Sequence, residues 1–501
     1  MARWKVRIVD WIKKLAWQPV ASGLLVSLAF PPFHLSLIVF VALVPWLIYL
    51  SKATASQARR SGYCFGLVFW SGQLYFIFAL ADRWTGSFFV AAIPYVLGVA
   101  IASVYFLLTG WLIFHCFRSR ILWAIPLAWA GVEVLRSFII LLAFPFGQLA
   151  APLASSPALI QGAHFGTISF VSAWVCAINV LFAQFLLGHS YRQMRWLALS
   201  SLAILAGTLA WYGRPIEGSP HRVVAGQTGI DLAFGDQSDV KSRIARNVEA
   251  IEVKALGADL LVLPEGIATS SGSGPPLIDF AVTPRLPIVF GGQRGNSPTY
   301  QSAFGFDGKW SYADKTRLVI FGEYVPGRNW IPGLDNFKLP GGDLTPGDEV
   351  KSLDVGGFRV GAMLCFEGLF SDVAYKQALN GSNILAVMAI DDWYMGTNAP
   401  EQLRDASTWR AVETGLPVVR AASLGYTVII DQRGRTIAST PLGKMAAIGA
   451  DVRIGSEPIL FRLLPFFPIA SLFSLVIIPL TSWWRSRMRN SGEHAGSSQL
   501  T

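Results

Sequence analysis

One thiol stands apart in this sequence. Cys365 ends the run Phe358-Arg-Val-Gly-Ala-Met-Leu364 and is followed by Phe366-Glu367-Gly368, so a strand would deliver its sulfur to a sharp turn at the strand's C-terminal edge. In α/β sheets, ligand crevices open at that edge. The other cysteines, Cys64, Cys116 and Cys176, lie in or beside long apolar runs, which leaves Cys365 without a disulfide partner in its own region. A thiol so presented is a candidate nucleophile. A second candidate is the carboxylate of Glu265, which ends the apolar run Leu260-Leu-Val-Leu-Pro264. A third is Lys315, in Tyr312-Ala-Asp-Lys315-Thr-Arg-Leu-Val-Ile-Phe-Gly322-Glu323. Singly, each has a plain alternative: a buried inert cysteine, a strand-end glutamate and a solvated lysine.

Other chemistries are disfavoured by what is missing. The six histidines (34, 115, 164, 189, 221 and 494) form no HExxH and no closely spaced pair, which argues against a zinc hydrolase or a histidine-based triad. No glycine-rich loop ending in Gly-Lys-Ser/Thr occurs, which removes the P-loop reading.

The elements around the candidates alternate between two patterns. Strands are expected at Arg222 to Ala225, Asp259 to Leu263, Pro287 to Phe290, Arg359 to Leu364, Ile384 to Ala389, Val418 to Ala421 and Tyr426 to Asp431, and helices at 239–256, 371–380 and 402–414. Interleaved strands and helices predict a layered α/β domain. Ser270 to Pro276 reads as a short polar loop. Val325 to Val350, with four Pro and five Gly, is long enough to be a mobile functional loop.

Composition separates this domain from the rest of the chain. Of the 501 residues, 53% are hydrophobic and 14% charged, against about 25% charged in an average soluble domain. The net charge of +10 divides unevenly: residues 213–457 carry 23 Lys/Arg against 27 Asp/Glu, and the remainder 18 against 4. A basic excess confined to the most apolar sequence reads as membrane topology, not as a nucleic-acid surface. Runs long enough to cross a hydrocarbon layer of about 30 Å are expected at about 17–31, 35–50, 62–81, 87–115, 121–143, 165–187, 195–212 and 458–483. With the N-terminus in the cytoplasm, 15 of the 18 basic residues of this part fall inside, as positive-inside loops require. Residues 213–457 would then lie outside the cytoplasm. Glu133 and Arg136, three apart within the fifth run, are expected to neutralise each other inside the bundle.

The three candidate segments in this order, about 50 residues apart, resemble the Glu-Lys-Cys triad of the nitrilase (carbon-nitrogen hydrolase) superfamily. With membrane runs on both sides, the resemblance narrows to the apolipoprotein N-acyltransferases. Val132-Glu133-Val-Leu-Arg136-Ser137, Phe144-Pro145-Phe146, Gly322-Glu323-Tyr-Val-Pro326 and Asp392-Trp393-Tyr394 fit that family. The resemblance implies an αββα sandwich inserted in a multi-pass helical membrane bundle of about eight spans. It further divides the chain into a transmembrane domain at 1–212, a nitrilase-like catalytic domain at 213–457, a last transmembrane helix at 458–484 and a cytoplasmic tail at 485–501.

By the same resemblance, Glu265 is general base, Lys315 with the N–H after Cys365 stabilises the oxyanion, and Glu323 and Glu367 help to position Lys315 and the thiol. Phe366, Trp393 and Tyr394 would suit an acyl chain. The implied donor is a membrane phospholipid and the acceptor an apolipoprotein in a bacterial inner membrane. No metal, cofactor or nucleic acid is expected, and a monomer is the default. This sequence has Phe366 where the family commonly has Tyr, Ile320 where it has Pro, and no His in 399–403. An amidase or acyltransferase with another acceptor, or a silent membrane scaffold, are the alternatives.

Overall fold

The computed structural model describes residues 16–138, 143–189, 191–270, 284–328, 330, 339, 342–455 and 463–497. The chain divides into two units, one of Met1–Leu153, Ile168–Gly207 and Pro465–Thr501, the other of Ala154–Thr167 and Thr208–Leu464.

In the first unit the apolar runs become helices: α1 (Trp17–Ala29), α2 (Val44–Leu50), α3 (Ala55–Gln73), α4 (Tyr75–Thr85), α5 (Phe88–Arg118), α6 (Ile125–Phe138), α7 (Thr167–Leu186), α8 (Arg192–Tyr212) and a final helix, Phe466–Ser497. Thr54 and Gln57 form a capping box that starts α3. Gly62 lets α3 approach α5 closely, because a Cβ there would sit 2.0 Å from the Phe106 carbonyl oxygen. Trp46, Phe65, Phe69, Phe106 and Trp129 interlock around this contact.

Among the described residues, four helices are long and apolar enough to cross a membrane: α5, α7, α8 and Phe466–Met488 of the final helix. A fifth is obtained if α3 and α4, bent by 50° at Leu74, count as one span. The remaining runs differ from expectation in length. Residues 35–50 split into a 3-10 turn, Ser36–Phe40, and the seven-residue α2. Helix α6 has 14 residues, and 139–142, where the fifth run was expected to continue, lie outside the described residues.

Glu133 and Arg136, both buried, act on each other electrostatically as expected, while their hydrogen bonds go to other groups. Glu133 Oε1 accepts the Trp129 indole N–H at 2.8 Å and the Leu149 amide at 2.7 Å. Arg136 donates to the Phe144 carbonyl at 3.1 Å and to that of Phe146. Apart from the Trp129 indole, these partners are backbone groups of one non-helical segment.

The second unit is built on two sheets. In the first, the order is β13-β1-β2-β4-β5-β6, with β3 beside β4; the strands are β1 (Ser219–Gln227), β2 (Leu260–Val262), β3 (Ala268–Ser270), β4 (Ile288–Arg294), β5 (Tyr300–Phe306), β6 (Trp310–Asp314) and β13 (Ala446–Ile454). In the second, β7 (Ser352–Val355), β8 (Phe358–Leu364), β9 (Ile384–Ala389), β10 (Val418–Ala422), β11 (Val428–Ile430) and β12 (Thr436–Ser439) follow one another in space.

Alternation along the strands decides which residues meet. Val223, Leu260, Val262 and Val289 turn inward and pack with Val360, Ala386, Met388 and Val419 of the other sheet. Their neighbours Val224, Leu261, Leu263 and Phe290 turn outward under Val248, Ile251 and Ala255 of α9 (Val240–Ala255). Helices α10 (Ser371–Leu379) and α11 (Ala399–Thr414) pack against β8 and β10 of the second sheet. The result is a nitrilase-like α/β domain of two face-to-face sheets with helices outside. Strands β2, β4, β8, β9 and β10 carry near-continuous apolar runs because both faces of each sheet are covered.

Candidate active site

Cys365 follows β8 directly and opens a 3-10 turn, Cys365–Leu369. Its φ of 47° is left-handed, a conformation that costs a non-glycine residue roughly 1–2 kcal/mol and is held by the structure around it. β8, β9 and β10 run parallel, so this turn lies at the C-terminal edge of the sheet, as the sequence predicts. Part of the Cys365 side chain remains accessible, and all four cysteines are free.

Glu265 is the third residue after β2, beyond Leu263 and Pro264, and Lys315 comes directly after β6. Hairpin pairing of β5 with β6 leads into a bond from the Lys315 amide to the Gln301 carbonyl at 2.8 Å. The Lys315 side chain is fully buried, with Nζ 2.6 Å from Glu323 Oε1 and 3.8 Å from Glu265 Oε1. Glu323 is fixed in turn by the Val319 amide on its other oxygen at 2.9 Å. Glu265 and Lys315 are therefore brought together, and both act electrostatically on the Cys365 thiol.

Glu367 ties the cysteine turn to the lysine loop. Its Oε1 accepts the amides of Thr316 and Arg317 at 2.8 and 3.1 Å and the Thr316 hydroxyl at 2.9 Å. Its Oε2 accepts the Leu364 amide at 3.0 Å. Burial raises this carboxyl above its ordinary range, against the pull of these bonds and of Lys315.

The protonation pattern follows from burial and charge. Burial pushes Glu265 up to about 7 against the opposing Lys315 charge, with Glu323 adding to the rise. Burial works against the Lys315 charge, but Glu323 and Glu265 outweigh it and hold the ammonium above its usual value. The Cys365 thiol is pushed up by burial and then by Glu265, while Lys315 lowers it. At rest the site therefore holds a protonated thiol, a charged lysine and a carboxylate that titrates near neutrality.

The aromatic candidates fall nearby in sequence and partly in space. Phe366 packs edge-on against Phe370, with ring centroids 5.3 Å apart. Trp393 meets Phe234 edge-on at 5.5 Å. Burial and then the Cys365 and Glu323 charges raise the Tyr394 phenol, which sets that ring beside the triad. Ser270 ends β3, whereas 271–276 of the expected polar loop, and residues 329, 331–338, 340 and 341 of the Val325 to Val350 loop, lie outside the described residues.

Two features escaped the sequence reading. Asp391, two residues beyond β9, and Arg420, in the middle of β10, are each at most 1% exposed and pair at 2.8 Å. Asp392 accepts the Leu232 amide at 2.7 Å, the Leu424 amide at 3.2 Å and the Ser423 hydroxyl, anchoring the turn that carries Trp393 and Tyr394. The available signal was an arginine inside one apolar run, Val418–Ala422, and an aspartate just after another, Ile384–Ala389. Among the described residues, no group of three or more His, Cys, Asp or Glu side chains is arranged to hold a metal ion.

Two family models match the chain in succession: the apolipoprotein N-acyltransferase N-terminal domain over residues 22–181 and carbon-nitrogen hydrolase over 293–456. The apolipoprotein N-acyltransferase of Geobacter metallireducens is 28% identical over 469 residues, covering 87% of this chain and 89% of that protein. The proteins of the same name from Allorhizobium ampelinum and Gloeobacter violaceus are each 28% identical; they cover 88% and 91% of this chain and are themselves covered over 90% and 92%. Saccharomyces cerevisiae Nit3, a nitrilase-superfamily member of solved structure, is 16% identical with a TM-score of 0.37, over 48% of this chain and 92% of its own. At that score the likeness adds nothing to the strand order described above. Both models match in order, and relatives named apolipoprotein N-acyltransferase align along most of the sequence, so the chain is similar to that family over most of its length.

Proposed function

We propose that this chain N-acylates lipoproteins: it moves an acyl chain from a membrane phospholipid, through a thioester on Cys365, to the α-amine of the S-diacylglyceryl cysteine that begins an apolipoprotein. The observation that supports it best is the convergence of Glu265 and Lys315, 3.8 Å apart and buried, on the thiol at the sheet edge.

Glu265 takes the thiol proton as sulfur attacks the ester carbonyl. Lys315, with the N–H of Phe366, stabilises the oxyanion. Collapse breaks the C–O bond, and the proton held by Glu265 leaves with the lysophospholipid. The acceptor amine then attacks the thioester, gives its proton to Glu265, and the thiol recovers that proton as the C–S bond breaks. A raised Glu265 suits both directions, because a carboxyl near 7 accepts and returns a proton at neutral pH. Glu323 and Glu367 act by positioning Lys315 and the cysteine turn, and Phe366, Trp393 and Tyr394 line the acyl chain.

The same reading includes a membrane bundle of about eight spans in 1–212 and 458–484, with both termini in the cytoplasm and a catalytic domain at 213–457 outside it. Its support is the distribution of Lys and Arg along the sequence. The test is incubation of the full chain with labelled phospholipid: a hydroxylamine-labile adduct is expected, abolished in Cys365→Ala. A reactive thiol that forms no adduct refutes the thioester. Rescue of a strain lacking lipoprotein N-acylation then identifies the acceptor.

A further inference from the structure

Helix α8 ends on Trp211 and Tyr212, and arginines cover both rings. The guanidinium carbons of Arg214 and Arg433 lie 5.0 and 4.7 Å from the Trp211 ring centre, and that of Arg435 lies 5.7 Å from Tyr212. His164 meets Trp211 edge-on at 5.5 Å and adds no charge, since burial and Arg433 push its imidazole down to about 3.

The carboxylate beside Arg433 and Arg435 is Asp431, whose oxygens are already engaged. Oδ1 accepts the backbone amides of Arg433 and Arg435 at 2.8 and 2.9 Å, and Oδ2 accepts Arg435 Nε at 2.6 Å. Among the described residues, neither Arg214 nor Arg433 has a carboxylate within ion-pair distance of its side chain. Arg433 Nε is buried with no hydrogen-bond partner. Burial holds the Arg433 guanidinium below its ordinary value; Asp431 opposes this, while Arg435 and Arg214 add to it. Asp431 alone among the described carboxylates is ion-paired here, so the cluster of three guanidinium groups carries an excess of positive charge.

It is also remote from the triad. β11 runs antiparallel to β10, with Ile430 opposite Val418, the first residue of that strand, whereas Cys365 follows the last residue of parallel β8. Strand rise and spacing separate the Asp431–Arg435 turn from the thiol by roughly 20 Å. A phospholipid that presents its ester to Cys365 does not reach these arginines with its own phosphate.

We propose that Arg214, Arg433 and Arg435 form a docking site for the phosphodiester of an anionic phospholipid, at the membrane surface where α8 ends. The proposal rests on reading α8 as a membrane span. Three features fit that ligand. Guanidinium forks match phosphate oxygens. Tryptophan and tyrosine favour the headgroup level. The exposed Leu209, one turn before the end of α8, offers the acyl tails an apolar contact.

The test uses the full chain in a neutral detergent, titrated with dihexanoyl phosphatidylglycerol or dihexanoyl phosphatidylcholine while retained lipids are counted by native mass spectrometry. The wild type should hold one phosphatidylglycerol more tightly than any phosphatidylcholine. Each lost arginine should weaken that binding about fivefold, and Arg433→Gln with Arg435→Gln together about 25-fold. Arg214→Gln, at an exposed position, gives the same reading should the Arg433 variant fold poorly. Equal retention of the two lipids, unchanged affinity in the variants, or displacement by an equal concentration of inorganic phosphate would each overturn the proposal. Binding in detergent does not depend on orientation, so a topology reporter that contradicts the membrane reading is a separate result.

Discussion

Glu367 Oε1 receives the Thr316 amide at 2.8 Å across 51 residues of sequence. Through this bond the residue two places after the nucleophile fixes the residue next to Lys315. One buried carboxylate thereby ties the cysteine turn to the lysine loop. Glu367→Gln keeps an acceptor for Thr316 and Arg317 but turns an N–H toward the Leu364 amide. Leaving that donor unpaired should cost about 1–3 kcal/mol, read as a lower midpoint of thermal unfolding. The single-turnover acylation rate should fall further than stability explains, since a misplacement of about 1 Å is worth roughly 100-fold.

Glu265 accepts a proton only when ionised. With its carboxyl at about 7, Cys365 acylation should rise with pH through neutrality and level off above it. Glu265→Gln should give a low rate without this rise. The same carboxyl makes a stability contribution of the opposite slope. Raised from 4.5 to about 7, it binds more protons folded than unfolded within that window. Its contribution is complete below about pH 4.5 and is lost as pH rises through 7, which urea unfolding at several pH values will measure.

Lys315→Met should be more damaging than a lost surface ion pair. It leaves the buried Glu265 beside the half-buried Glu323 without their cation, and stranding a buried charge costs about 3–5 kcal/mol. In whatever fraction folds, the rise of residual activity with pH should move above the wild-type midpoint, because the charge that lowers Glu265 is gone.

Gly291 offers a test of geometry that touches no ionisable group. A Cβ there would lie 2.8 Å from Glu265 Cα and 2.8 Å from Leu364 Cδ2. Gly291→Ala should therefore push Glu265 and the end of β8 apart, lowering the acylation rate and costing about 1–3 kcal/mol as overpacking. Gly207→Ala, with nothing within 4 Å of the added carbon, should leave both unchanged.

Topology is tested by reporters. One fused after Arg195 should read cytoplasmic, and one inserted near Ser271 should read external.

Cys365 and Glu265 stood out in the sequence because each follows an apolar run that forms a doubly covered strand, whereas Lys315 follows the polar edge strand β6 and stood out only by the order and spacing of the three segments. Val360 to Leu364 and Ile384 to Ala389 have almost no polar residue to mask them. β5 and β6 were not legible: Gln301, Ser302 and Gly305 interrupt Tyr300–Phe306, and the pairing that makes it a strand comes from β4 and β6. That omission hid Gln301, whose carbonyl receives the Lys315 amide. The Asp391–Arg420 pair was hidden for a similar reason, since 29 residues separate its members and only the parallel register of β9 and β10 brings them together. Among the membrane runs, hydropathy located the helices but not the break at Leu74, which leaves no mark in composition.

Glu133 and Arg136 carry a consequence for how this chain tolerates change. Between them they serve the Leu149 amide and the Phe144 and Phe146 carbonyls, groups that water would serve in a soluble protein. In a bilayer no such water is at hand. The two side chains act as a private solvent for one irregular stretch of backbone, so a sequence could shed them only by rebuilding that stretch as helix.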